Sequence, residues 1–120
     1  MTFEIPGNPI TKKNHTQIWI NRKTGKPFVT QSDAYKEYEQ SCGWFVPPLG
    51  IDYPVNVKYE FFLKGNYKVD LTNLQASLND ILTKWQCLKD DNVKIVVSHD
   101  GSRVYVDKTN PRTVVTITKI

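Results

Sequence analysis

VDLTNLQASLNDILTKWQCLKDD, residues 69–91, is the most informative segment of this chain of 120 residues. Asp70 stands at the expected start of one amphipathic helix, and the adjacent pair Asp90 and Asp91 follows the end of that helix. Carboxylates that converge without a fixed counter-charge are suited to holding a divalent metal ion. In a basic protein such an arrangement indicates chemistry on phosphodiesters.

The two ends of this segment meet only if the chain reverses direction after the helix. A helix of this length spans about 20 Å, whereas residues 86–89 reach about 13 Å when fully extended. Convergence of Asp70 with Asp91 therefore requires an early helix end, or carboxylates supplied by two subunits. The alternative is that Asp70 interacts with the helix dipole while Asp90 and Asp91 form a turn before the next strand.

The helix itself is predicted by an apolar stripe at helical spacing. The stripe consists of Leu71, Leu74, Leu78, Ile81, Leu82 and Trp85. Thr72 and Gln75 match a capping box at the helix start. On the polar face Asp80 and Lys84 stand four residues apart, and we expect them to form a surface ion pair, although Asp80 is also a second candidate carboxylate.

The remaining pattern predicts an α+β fold: a single domain over residues 1–120, with a mixed or antiparallel sheet and two helices packed on it. Strands are expected at residues 2–5, 55–63 and 113–119, and a strand pair at 17–20 and 27–30. Ser32 is expected to cap a helix that runs to about Phe45. Asp100 and Gly101 predict a hairpin turn between strands at 92–98 and 102–107, in which His99 would be a solvated turn residue.

The net charge of +4 is concentrated near the N-terminus. Residues 1–32 contain five basic residues and one acidic residue, so the rest of the chain is neutral overall. This asymmetry favours contact with a polyanion, although a solvated basic loop would give the same pattern. The aromatic residues among these charges are expected to belong mainly to the core, and Trp19 is the one expected to contact a DNA base or a partner.

Several classes of protein lack support in the sequence. No apolar run approaches the length of a membrane span, and no signal-peptide pattern is present, so we expect a cytoplasmic protein without a membrane partner. Cys42 and Cys87 lack metal-site spacing and are expected to be reduced and packed. The chain shows no nucleophilic triad and no glycine-rich phosphate loop, so neither covalent catalysis nor a nucleotide cofactor is expected.

The chain resembles the RusA-like crossover junction endodeoxyribonucleases, which resolve four-way (Holliday) junctions in DNA recombination and repair. The resemblance covers nearly the whole chain. It is based on DLTNLQ at residues 70–75, the register of Leu78, Asp80 and Leu82, KDDNV at residues 89–93, and the loop IPGNPITKKN at residues 5–14 before a basic hairpin. The family motif, D-x-(D or T)-N followed by two adjacent aspartates some fifteen to twenty residues later, is moderately specific.

The resemblance implies a homodimeric, Mg²⁺- or Mn²⁺-dependent nuclease that nicks two strands of a four-way junction symmetrically, often encoded by a prophage. It implies catalytic roles for Asp70, Asp90 and Asp91, with Asp70 and Asp91 as metal ligands. Thr72, Asn73 and Asp80 are expected to support this site. The DNA-binding residues are expected to be Lys12, Lys13, Asn14, His15, Arg22, Lys23 and Lys26.

The chain departs from the family pattern at two positions. The best-known members carry a second aspartate in place of Thr72 and a catalytic lysine in place of Ala76. The alternative function is therefore a non-catalytic protein that binds branched DNA on the same scaffold.

Overall fold

The computed structural model describes residues 1–12 and 16–120, with the backbone alone for 16–19 and 28–31. Its elements are the strands β1 (Thr2–Pro6), β2 (Thr16–Ile20) and β3 (Pro27–Gln31), the helix α1 (Asp33–Cys42), the strand β4 (Val55–Leu63), the helix α2 (Leu71–Lys84), and the strands β5 (Val96–Ser98), β6 (Arg103–Val106) and β7 (Arg112–Lys119). Neither helix in the described part of the chain has the length and apolarity that crossing a bilayer requires.

The strands form a mixed sheet in the order β1–β7–β4, and β4 pairs on its other edge with β5 and β6. β7 runs antiparallel to both of its neighbours, whereas β5 and β6 run parallel to β4. β2 and β3 form a separate antiparallel pair. Two helices with this sheet in one small domain confirm the predicted α+β fold.

The core lies between one face of the sheet and the two helices. β4 alternates as predicted: Val55, Val57, Tyr59, Phe61 and Leu63 are buried, and the residues between them are half-buried. α2 contributes Leu74, Leu78, Ile81 and Leu82 to the same cluster, and α1 contributes Tyr38 and Cys42. Full burial of each large aliphatic side chain contributes about 1.5–3 kcal/mol, so these contacts fix how α2 is rotated against the sheet.

The start of α2 differs from the predicted capping box. Asp70 is the N-cap, with extended backbone angles (φ −83°, ψ 135°), and its side chain makes no capping hydrogen bond. Thr72 is the second residue inside the helix, where its side chain is not placed to cap the first turn. The capping-box prediction was therefore wrong by two residues, whereas Asp70 does lie at the positive end of the helix dipole as expected.

The end of α2 turns the chain back on itself through a Schellman motif. Gln86 adopts a left-handed conformation (φ 64°). The Gln86 N–H donates to Thr83 O, and the Cys87 N–H donates to Leu82 O at 2.9 Å. Leu88 then pairs with Ile51 in a parallel bridge. α2 therefore keeps its full expected length of 14 residues, and the chain reverses only after it. The early helix end that would bring the second group of aspartates back to Asp70 does not occur.

The predicted hairpin between β5 and β6 was wrong. Both strands pair with β4 instead, β5 beside its first residues and β6 beside its last four, so they are two pieces of one edge strand. Gly101 has φ +86°, as a tight turn requires. The intervening loop is held on β4 because Asn56 Oδ1 accepts from the Asp100 N–H and Ser102 Oγ accepts from the Tyr59 N–H.

Candidate catalytic site

Asp80 and Asp91 lie near enough to each other for the Asp91 carboxylate to raise the pKa of Asp80. Asp80 lies on the third turn of α2, and Asp91 lies on the loop that follows the Schellman motif. Burial raises the pKa of the Asp80 carboxyl, the Lys12 ammonium opposes this rise, and the nearby Asp91 carboxylate adds to it. Two adjacent carboxylates that raise a pKa in this way compete for one proton or one cation.

Asp70 lies at the other end of the same helix. It is exposed, and its Oδ2 accepts a hydrogen bond of 3.3 Å from Asn73 Nδ2. Ten residues of helix separate it from Asp80, a distance of about 15 Å along the axis. Across residues 1–12 and 16–120, no three His, Cys, Asp or Glu side chains group so as to hold a metal ion. A metal-binding role for Asp70 stays a prediction, and within one chain Asp91 meets Asp80 instead.

Asp90 forms its hydrogen bonds within its own loop. Its Oδ1 accepts from the Asp91 N–H at 2.7 Å, and its Oδ2 accepts from Asn92 Nδ2 at 2.9 Å. It lines a separate cavity of about 380 Å³ together with Asp52. Asp90 therefore orients Asp91 through the backbone. The predicted catalytic role of Asp90 itself stays a prediction.

Lys12 joins the basic N-terminal segment to the carboxylate pair. Its backbone N–H donates to the buried Ser77 Oγ at 2.9 Å, which fixes the loop to α2. Its Nζ lies 3.9 Å from Asp80 Oδ2, and both side chains are about half exposed. The expected pair of Asp80 with Lys84 is absent, because Lys84 contacts Glu39 of α1. Lys12 is thus the cation that pairs with Asp80 among the residues the structure describes.

The other predicted DNA-binding residues divide into two groups. Lys13, Asn14 and His15 lie outside the described residues. Arg22, Lys23 and Lys26 are exposed on the turn between β2 and β3. That turn is closed by backbone hydrogen bonds between Asn21 and Lys26 and between Asn21 and Gly25, and Asn21 Oδ1 also accepts from the Lys23 N–H. The turn holds these basic side chains on its surface, as the hairpin prediction required.

A buried polar network behind the pair was missed by the sequence analysis. The hydroxyl of the fully buried Tyr59 donates to Asn79 Oδ1 at 2.7 Å, and Asn79 Nδ2 lies 3.1 Å from His99 Nε2. His99 Nδ1 lies 2.7 Å from Val57 O. Since a carbonyl only accepts, Nδ1 carries the proton and Nε2 accepts from Asn79.

This network corrects the expectation that His99 is a solvated turn residue. His99 is half-buried, and its partners lie 20 and 42 residues away in the sequence. No local pattern indicates such contacts. The network joins α2 at Asn79, the neighbour of Asp80, to β4 and to the loop before β6, so it holds the helix turn that carries Asp80.

Tyr35 of α1 is a buried tyrosine near Asp80. Its ring is buried and its hydroxyl makes no hydrogen bond of ordinary geometry to the described residues. Burial raises the pKa of Tyr35, and the nearby carboxylates of Glu39 and Asp80 raise it further. The hydroxyl therefore stays protonated and uncharged.

Comparisons with known proteins do not assign the chain to a family. No protein-family model matches it, and no curated protein sequence is significantly similar to it.

Proposed function

We propose that this chain is a metal-dependent endonuclease that acts on branched DNA, with the four-way junction as its substrate. The observation that carries the proposal is the Asp80–Asp91 carboxylate pair, placed where the basic N-terminal segment is fixed to α2 through Lys12. A carboxylate pair beside a cationic arm provides both parts that phosphodiester hydrolysis needs: a place for a metal ion and a grip on the phosphate backbone.

The residues at this pair fit a hard divalent cation such as Mg²⁺ or Mn²⁺. Magnesium sites in proteins use one or two carboxylates and leave the other positions to water and substrate phosphates. Asp80 and Asp91 supply two carboxylates. Burial first, and then the charge of Asp91, raise the pKa of Asp80, and a bound cation would favour its ionised form against both. At 3.9 Å, Lys12 neutralises this charge only in part.

Asp70 belongs to such a site only under one condition. Within one chain it lies too far along α2 to share an ion with Asp91, so as a ligand it would serve a site to which a second subunit contributes. We propose a homodimer on this ground and on the resemblance, with each subunit cutting one strand. Sedimentation of the purified chain at micromolar concentration tests the dimer, and a monomer at that concentration would contradict it.

The residues of the chain have distinct parts in the proposed reaction. A bound metal ion supplies an activated water and neutralises charge on the phosphate. Asp80 and Asp91 hold it, and the network of Asn79, Tyr59 and His99 keeps the Asp80 turn in position. Lys12 and the basic turn at Arg22, Lys23 and Lys26 contact the phosphate backbone, so binding depends strongly on salt and little on base sequence.

The test is cleavage of a synthetic four-way junction and of a linear duplex of the same sequence, with Mg²⁺, with Mn²⁺ or with EDTA. Paired symmetric nicks that need metal and spare the duplex are the expected result. Asp91→Asn and Asp80→Asn should abolish cleavage while junction binding survives, and Asp33→Asn, an exposed aspartate on α1, is the matched control. Cleavage unaffected by EDTA would contradict the metal site.

A readout independent of cleavage is thermal unfolding with and without Mn²⁺. The metal should raise the melting temperature of the native chain, because a ligand that binds only the folded state stabilises it. Asp80→Asn should lose this rise if the site lies within one chain. Asp70→Asn should lose it as well only if the site is shared between subunits.

The alternative function is a non-catalytic protein that binds branched DNA. It is favoured by the absence of a three-ligand group in the described part of the chain and by Thr72 and Ala76 at positions where the resembling family has catalytic residues. Under this alternative the chain binds the junction equally well with metal and with EDTA, and cuts it with neither ion.

A further inference from the structure

A slot beside Asp70 has no part in the carboxylate pair. Its volume is about 350 Å³, at the small end of the range for ligand pockets. One wall is the N-terminal loop at residues 8–11, the floor includes Leu63 at the end of β4, and the other wall is formed by residues 67–69 just before α2. Asn8 ties the first wall to the end of β4, since its Oδ1 accepts a hydrogen bond of 2.8 Å from the N–H of Lys64, the residue after Leu63.

The slot is apolar inside and cationic outside. Leu63 is buried, while Val69 and Ile10 are half-buried and pack against the core. Tyr67 is 55% exposed although its ring lines the slot. Lys64 and Lys68 are exposed and form no ion pair with any residue that the structure describes. An aromatic ring between unpaired cations is the arrangement by which proteins hold single-stranded nucleic acid.

We propose that this slot takes one unpaired nucleotide of the DNA substrate, with its base on the Tyr67 ring and its phosphates on Lys64 and Lys68. The inference rests on the proposed function, since it names a feature of the same substrate. Charge selects the occupant: Lys68 lines the slot and the exposed Lys64 directly follows Leu63 of its floor, so the two complement a phosphate backbone. The small volume admits one ring system. A nucleotide held there lies beside Asp70 at the start of α2.

The position of Tyr67 is restrained before any ligand binds. The Tyr67 N–H donates to Gly65 O at 3.0 Å, and the ring lies against Gly65, where an added Cβ would meet it at 3.7 Å. A ring that is already ordered loses little conformational entropy on stacking. This explains why an exposed tyrosine is held over the slot rather than turned freely into solvent.

The test uses a four-way junction with 2-aminopurine at successive positions around the strand exchange, bound in EDTA so that no strand is cut. We expect a change in fluorescence at one position with the native chain and its loss with Tyr67→Ala. Junction affinity should fall by about 5- to 100-fold in Tyr67→Ala and be retained in Tyr67→Phe, as for other base–aromatic contacts. Tyr53→Ala, at a tyrosine that is 40% exposed and lines a different cavity, is the matched control.

The outcomes separate this inference from the proposed function. If Tyr67→Ala matches the native chain in affinity and fluorescence, the slot does not hold a nucleotide, while junction cleavage by the native chain still supports the endonuclease. If the native chain binds no branched DNA, the proposed function and this inference fail together. An equal loss of junction affinity in Tyr67→Ala and Tyr53→Ala would show a general surface effect and would overturn the assignment of the nucleotide to the slot.

Discussion

Asn79→Ala tests whether the buried network behind the carboxylate pair stabilises the fold. Asn79 is the only acceptor among the described residues for the hydroxyl of Tyr59, whose side chain is fully buried. A buried hydroxyl left without a partner costs about 1–3 kcal/mol. The bond to His99 matters less, because that ring is half-buried and water can replace Asn79 there.

The expected net effect follows from two opposing contributions. Loss of the Tyr59 partner costs about 2 kcal/mol, and alanine is favoured over asparagine inside a helix by roughly 0.5 kcal/mol. Asn79→Ala should therefore lower the free energy of unfolding by about 1.5 kcal/mol. Urea denaturation measures this difference directly. Asn73→Ala on the same helix is the matched control. Among the described residues its side chain bonds only the exposed Asp70, so its removal should be neutral or slightly stabilising.

A double-mutant cycle with Tyr59→Phe assigns the effect to the bond itself. If the hydroxyl is the origin of the cost, Asn79→Ala should destabilise the Tyr59→Phe chain by much less than the native chain, with a coupling energy of about 1 kcal/mol or more. Equal stability of Asn79→Ala and Asn73→Ala would refute the reasoning, as would a coupling energy near zero. Either result would mean that the Tyr59 hydroxyl finds another partner.

Three further substitutions test other parts of the structure. Burial and Asp91 hold the pKa of Asp80 above its ordinary value, so ionisation of Asp80 destabilises the folded state. Asp80→Asn should therefore raise the melting temperature at pH 7. The gain should vanish below pH 3.8, the ordinary value, because Asp80 is then protonated in both the folded and the unfolded state. Gly43→Ala would place a Cβ 2.8 Å from the ring of Trp85, and urea denaturation should show a loss of about 1–3 kcal/mol from overpacking. Leu78→Ala, at a fully buried position of α2, should cost about 2–5 kcal/mol in the same assay.

The parts of the fold that follow from periodicity were predictable. The alternation along β4 and the apolar stripe of α2 each give their element and its buried face, because burial of a repeated face is a local property of the sequence. The turn between β2 and β3 was also found from composition. The hairpin at Asp100 and Gly101 failed for a non-local reason: side chains of β4 and the loop bond each other, so each half of the segment pairs with β4 rather than with the other half.

The candidate site was predictable in its residue types but not in its pairing. The sequence shows aspartates at both ends of α2 and a basic arm, and it indicates that the chain must reverse. It does not show that Gln86 adopts a left-handed conformation, or that Leu88 pairs with Ile51. Those two features determine how far the loop returns along the helix, and they bring Asp91 to Asp80 rather than to Asp70.

The burial of α2 explains why two repelling carboxylates persist side by side. Asp80 directly precedes the fully buried Ile81 and follows Leu78 by two residues, so it lies at the edge of the buried face and is partly desolvated. Burying the large aliphatic side chains of α2 contributes about 1.5–3 kcal/mol each, more than the repulsion between two half-solvated charges removes. The core therefore imposes the position of Asp80, and the repulsion remains for a cation to relieve. Asp70 experiences no such constraint, because a helix end leaves its side chain in water. At Asp80 packing and electrostatics are in conflict within one turn of α2, whereas at Asp70 they are not. This conflict is what marks Asp80, rather than Asp70, as a candidate metal ligand within one chain.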